Sequence, residues 1–167
     1  MKSIKADDYF SLVMKGFADV KQQAETEEMT IITEDIFKLN WMTTVRFNSF
    51  ISFADEIDLR TFRSFIMMCL NMTKQGRSKL GMPSVCNAVL IAGNVPQDVM
   101  EFACQRPSKH TTMTEYPVVV DLAKHKTYYY TGPIFYGAIY ARFEREYIDG
   151  HFAMPLRILS DKLLEGK

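Results

Sequence analysis

The chain lacks most of the local patterns that announce a chemistry. It has no C-x-x-C pair, so neither a zinc ribbon nor a dithiol redox centre is encoded. It has no G-x-G-x-x-G and no Walker lysine-serine pair, which removes the usual phosphate-cradling loops. No G-x-S-x-G and no cysteine in a polar setting point to an acyl-transfer nucleophile. His110, His125 and His151 are dispersed, and none has a second histidine three or four residues on, so zinc ligation fails on spacing.

Long apolar runs are absent too. The longest, Phe65 to Leu70 and Ala88 to Ala92, fall far short of the roughly 20 residues that cross a bilayer. Residues 1–10 carry Asp7 and Asp8 where a secretory leader needs an apolar core. The cysteines, Cys69, Cys86 and Cys104, are odd in number and lie in apolar contexts, which predicts buried, reduced thiols in a cytoplasmic protein.

Charge of either sign is also missing in net terms: 20 Lys and Arg balance 20 Asp and Glu. A protein that lives on phosphate backbones usually carries a basic excess, so nucleic acid is disfavoured as a partner. The balance is nevertheless uneven along the chain. Glu25, Glu27, Glu28, Glu34 and Asp35 cluster early, whereas Arg60, Arg63, Lys74, Arg77 and Lys79 in the segment 60–79 face only Asp58. Solvated helix faces explain such blocks; an anion or nucleic-acid site on the basic segment is the sharper alternative.

What is present is an ordinary globular composition, 47% hydrophobic and 24% charged, in a length that suits one domain over residues 1–167. Phe10, Val13, Met14, Phe17 and Ala24 recur at helical spacing and predict a helix over 7–25, capped by Asp7 or Asp8. Residues 29–42 read equally as strand or helical turn. Val45, Phe47, Ile51 and Phe53 alternate with polar residues and predict a strand, with Phe50 marking partial cover of its second face. Asp58 then caps a helix that ends at Gly76.

The apolar run Val85 to Ala92, interrupted only by Asn87, suits a strand buried on both faces. Pro96 opens a short helix, and residues 107–114 read as a loop. Val118 to Leu122 and Lys126 to Tyr130 form a hairpin with a three- to four-residue turn. Past Gly132-Pro133, Tyr136, Tyr140, Phe143 and Tyr147 stripe a helix that Gly150 stops, and Pro155 to Leu164 makes a last one.

The expected fold class is therefore α/β. It is a single three-layer domain with a mixed, mostly parallel sheet of about 4–5 strands, helices on both faces, and a C-terminal β-hairpin followed by two helices. This order of elements is similar to that of small restriction-endonuclease-like or Rossmann-like α/β domains; likeness of element order carries no function.

Ligands on open α/β sheets sit beyond the carboxyl ends of the strands. That rule collects Asp55 and Glu56, then Gly93 and Asn94, then Asp121 with nearby Lys124. Three carboxylates there could hold Mg²⁺, and a lysine beside them would orient water in a metal-dependent hydrolase or nuclease. Charged residues at helix starts and a hairpin tip are the plainer account of the same residues. Gly93 and Asn94 lead into a helix N-terminus, a weak anion signal.

Residues 116–147 hold seven of the eight tyrosines. Buried rings contribute about 2–3 kcal/mol each, so stability explains most of them. Alternation along the Tyr128-Tyr129-Tyr130 strand leaves one layer of phenols for solvent or a partner. Tyr129 and His125 are thus the candidate ligand-binding residues of the hairpin, and a homo-oligomer formed at that sheet edge is expected. The leading functional expectation is a non-enzymatic binding protein that self-associates; no specific cofactor or small-molecule ligand is indicated.

Overall fold

The computed structural model describes residues 4–17, 20, 22–26, 29–38, 43–76, 83–110, 113–133 and 138–165. Tyr136, Arg77 and Lys79, and Glu27 and Glu28 of the acidic cluster, lie outside these residues, as does the side chain of Tyr140.

Helix α1 covers Ala6–Gly16, with Asp7 and Asp8 in its first turn, where their charge meets the helix dipole. No side chain caps it; the N-cap position falls to Lys5. The predicted continuation to residue 25 is not formed. Instead Gln22–Glu25 is a strand, β1, paired antiparallel to β2 (Met29–Lys38), so pairing with β2 overrides the helical period of the local sequence. Thr26 closes the turn: its Oγ1 accepts from Met29 N at 3.1 Å, and its N–H donates to Met29 O at 2.9 Å. β2 resolves the ambiguity of residues 29–38 in favour of strand.

Strand β3 (Thr43–Ala54) runs antiparallel to β2, and Phe50 on its second face is buried, as its break in the alternation implied. Asp58 caps α2 (Leu59–Gln75) by accepting from Thr61 N at 2.7 Å. β4 (Ser84–Ala92) is buried at all nine positions, as a central parallel strand should be. After α3 (Gln97–Ala103), β5 (Lys109–His110) and β6 (Met113–Asp121) occupy part of the predicted loop. β7 (Lys126–Tyr128) completes the hairpin after a four-residue turn in which His125 adopts a left-handed φ of 53°.

Among the described residues, seven strands lie in the order β1-β2-β3-β4-β6-β5, with β7 also on β6. β3, β4 and β6 are parallel as expected; the remaining pairings are antiparallel, so the sheet is mixed, larger than the expected 4–5 strands, and not mostly parallel. The excess comes from β1 and β2, which pair ahead of the parallel core, and from the two-residue β5.

From β3 to β4 to β6 the order advances in one direction. Two crossovers of the same hand therefore place α2 and α3 on one sheet face. There they cover Phe50, Cys86, Ala88, Leu90 and Val119. The opposite face, with Val45, Phe47, Ile51, Val89 and Val118, packs against α1 and the C-terminal helices.

Those helices are α4 (Ala138–Ile148) and α5 (Met154–Glu165), joined by a π-helical turn, Asp149–Ala153. Gly150 does not stop the helix. The wider turn keeps Ile148, Phe152 and Leu156, four residues apart, all on the core side. Among the described residues, no helix is long and apolar enough to cross a membrane. Cys69 and Cys86 are buried, and burial pushes the Cys86 thiol up to about 12; Cys104, against expectation, is exposed just past the end of α3.

Candidate functional site

At the carboxyl ends of the parallel strands, Ala54, Ala92 and Asp121 align in one row. Asp55, Glu56, Gly93, Asn94 and Asp121 therefore leave the sheet at a common edge, as the strand order required. Their environments differ. Asp55, Glu56, Gly93 and Asn94 are exposed, whereas the Asp121 side chain is fully buried.

The Asp121 carboxylate is occupied by its own chain. Oδ1 accepts from Lys124 N at 2.8 Å, and Oδ2 accepts from Val95 N at 3.3 Å and meets Lys124 Nζ at 3.2 Å. Lys124 Nζ also donates to Val95 O at 3.1 Å. Asp121 and Lys124 thus lock the hairpin turn onto the loop between β4 and α3, and such charge-assisted bonds replace the hydration that burial removes. Among the described residues, no three His, Cys, Asp or Glu side chains are grouped to hold a metal ion.

The tyrosine hairpin is closed in a similar way. Tyr116 donates to Tyr130 O at 3.0 Å, Tyr130 to Pro133 O at 2.8 Å, and Tyr129 to Asp149 Oδ1 at 3.3 Å. Asp149 also pairs with Arg157 at 2.6 Å, and His125 Nδ1 lies 3.0 Å from Ser160 Oγ on α5. Burial, then the Asp149 carboxylate, raises the pKa of Tyr129. β7 offers three residues to a neighbour strand, a poor template for edge-to-edge pairing.

A second polar cluster lies beneath α4, and sequence reasoning missed it. Ser49 on β3 and Asn87 on β4 are direct neighbours in register and both fully buried. Asn87 Nδ2 donates to Ser49 Oγ at 3.3 Å, Ser49 Oγ lies 3.3 Å from the Tyr147 hydroxyl, and that hydroxyl donates to Glu34 on β2. Asn87 Oδ1 finds no partner among the described residues. Desolvation raises the pKa of Glu34, partly offset by the Tyr147 bond.

Rings enclose the cluster. Phe47 stacks on Tyr147 with centroids 4.1 Å apart, and His151 stacks on Phe17 at 4.3 Å; burial pushes its imidazole down to about 4. One turn before Tyr147, burial pushes Glu144 up to about 7. The available signal was a polar residue at a core position of each strand, Val45-Phe47-Ser49-Ile51 and Val85-Asn87-Val89. Chemically this chain of hydroxyls can share a proton with Glu34; mechanically it clamps α4 to three strands.

The α2 layer is built differently. Helix α2 has 17 residues, with Arg60, Arg63 and Lys74 and no acid. None of these three cations makes a salt bridge among the described residues; Arg63 lays its guanidinium over Phe102 of α3, 4.8 Å from the ring centre. Met67 is 54% exposed on the same face. Arg60, Arg63, Met67, Asn71 and Met72 edge a shallow furrow lined by this one helix.

Beside the furrow, a cleft of about 300 Å³ has walls from two elements, Ser52 and Ala54 of β3 and Phe62, Phe65 and Met68 of α2, with Ile57 and Leu90 at its base. Ser64 and Met68 border both depressions, which are thus adjacent. Comparison with family models and with curated proteins found no match to this chain.

Proposed function

We propose that this is a non-enzymatic binding protein and that the α2 layer is its binding face. The observation that carries the reading is the apolar cleft between α2 and β3, which opens beside exposed cations and an exposed methionine. A volume of about 300 Å³ lies at the small end of ligand pockets, enough for one or two large apolar side chains or a small organic molecule. Flexible methionine side chains at its border can repack around different shapes. Elsewhere the groups with chemical potential, Asp121, Tyr129 and Tyr147, have their polar atoms engaged within the chain.

A thermal-shift screen with small apolar fragments tests the reading. Stabilising fragments are expected, and their effect should vanish in Ser64→Trp, where an indole closes the mouth of the cleft. Fragments that stabilise the wild type and Ser64→Trp alike would overturn it.

A second reading, metal-assisted hydrolysis by Asp55, Glu56 and Asp121, draws support from their common exit edge. It requires Mg²⁺ to raise the melting temperature of the wild type and to leave Asp121→Asn unmoved.

A further inference from the structure

Resting on that reading of the α2 layer, we infer that the occupant of its outer face is a second copy of this chain, related by a two-fold axis along the seam between α2 and α3. Two helices meet at this seam, and their exposed charges are opposite. α2 carries Arg60, Arg63 and Lys74 with no acid, and α3 carries Asp98 and Glu101 with no base. All five side chains are exposed, and none makes a salt bridge among the described residues. The helices are in contact: Phe62 and Phe102 meet edge to face at 6.1 Å beneath Arg63.

A two-fold axis demands a patch complementary to itself, so that a contact made in one sense is repeated in the other. A basic helix beside an acidic one satisfies that demand. Rotation about the seam lays α2 of one copy over α3 of the other, twice, with Met67 of each copy set into the interface. Pairing α2 on α2 would instead oppose like charges. A formal net charge of zero places no global repulsion in the way. A polynucleotide fits less well, because the exposed acids of α3 stand beside the cations it would need.

The test is a charge swap on the full chain, read by light scattering after size exclusion. The wild type should have twice the mass of one chain at high micromolar concentration, and raised salt should shift it towards the monomer. Arg60→Glu/Arg63→Glu and Asp98→Lys/Glu101→Lys should each be folded by circular dichroism and monomeric alone. Mixed in equal amounts, the two variants should recover the doubled mass, because each reversed helix now faces its complement. A monomeric wild type would overturn the inference, as would doubled mass in both separate variants or no recovery on mixing. The fragment screen on Ser64→Trp is read independently: a monomer whose cleft still takes fragments ends this inference and leaves the binding reading standing.

Discussion

The two helical layers on this sheet solve opposite problems. Beneath α1, α4 and α5 the tyrosine hydroxyls are tied inward: Tyr9 to Phe152 O at 2.8 Å, Tyr147 to Glu34 and Ser49, and Tyr129 to Asp149. Over α2 and α3 the cations make no salt bridge among the described residues, although Asp58 at the start of α2 attracts Arg60, and Met67 faces outward. Buried polar groups must be satisfied or they cost stability, whereas exposed ones can wait for a partner. The difference teaches that tyrosine density marks the structural layer of this molecule, and that the plainer, methionine-bearing helix is the one left open.

The sharpest break in that contrast is a pair of truncations. Phe47→Ala removes a fully buried ring that stacks on Tyr147 and should cost about 3–5 kcal/mol in urea unfolding. Met67→Ala on the open layer should stay within about 0.5 kcal/mol when measured on the monomer. Similar costs for the two would erase the distinction.

Next in size is a pH effect confined to the closed layer. Unfolded Glu144 titrates near 4.5 and folded Glu144 at about 7, so between these values the folded state alone holds the proton. Stability therefore falls as pH rises through that window, by roughly 3 kcal/mol at most, and Glu144→Gln removes the fall. His151 acts in the other direction. Its folded pKa of about 4 lies below the unfolded 6.5, so the unfolded state takes up the proton first and stability is lost as pH drops across that range. The wild-type profile should be shallow where the windows overlap. Glu144→Gln should tilt it towards acid loss, and His151→Phe, which keeps the ring stack, towards alkaline loss. Urea midpoints between pH 4.5 and 8 would reveal both slopes; parallel profiles for the three proteins would refute the assignment.

A smaller effect is expected at the carboxyl edge of the parallel strands. Asp121→Asn should lower stability by about 1–3 kcal/mol through loss of the lock on Lys124 and Val95, by the same amount with and without Mg²⁺. A cost that appears only in the presence of the metal would favour the hydrolase reading.

Much of this arrangement was legible in the residues. Val85 to Ala92 announced a central strand because every position but Asn87 is apolar, and Asp58 announced the start of α2 because a carboxylate can accept from Thr61 N. The parallel core and the hairpin followed from connection lengths. Gln22–Glu25 was not legible: its local pattern continues a helix, and only pairing with Thr30–Thr33 makes it a strand. Gly150 misled because a π-helical turn absorbs it without a break.

The site was less legible than the fold. Asp121 and Lys124 stood at the expected edge, but whether a carboxylate faces solvent or its own backbone depends on a loop 26 residues away in sequence. The cleft beside α2 arises from Ala54, Ile57 and Leu90 meeting Met68, a juxtaposition that no periodicity encodes. Ser49 and Asn87 could have been singled out as polar residues on apolar strand faces.

The most direct test of the contrast between layers follows the methionine methyl groups by NMR while the apolar fragments are added. Met67, Met68 and Met72 of α2 should shift, while Met14 of α1 and the exposed Met154 of α5 should not. Shifts centred on Met154 or Met14, with the α2 methyls unmoved, would contradict the account.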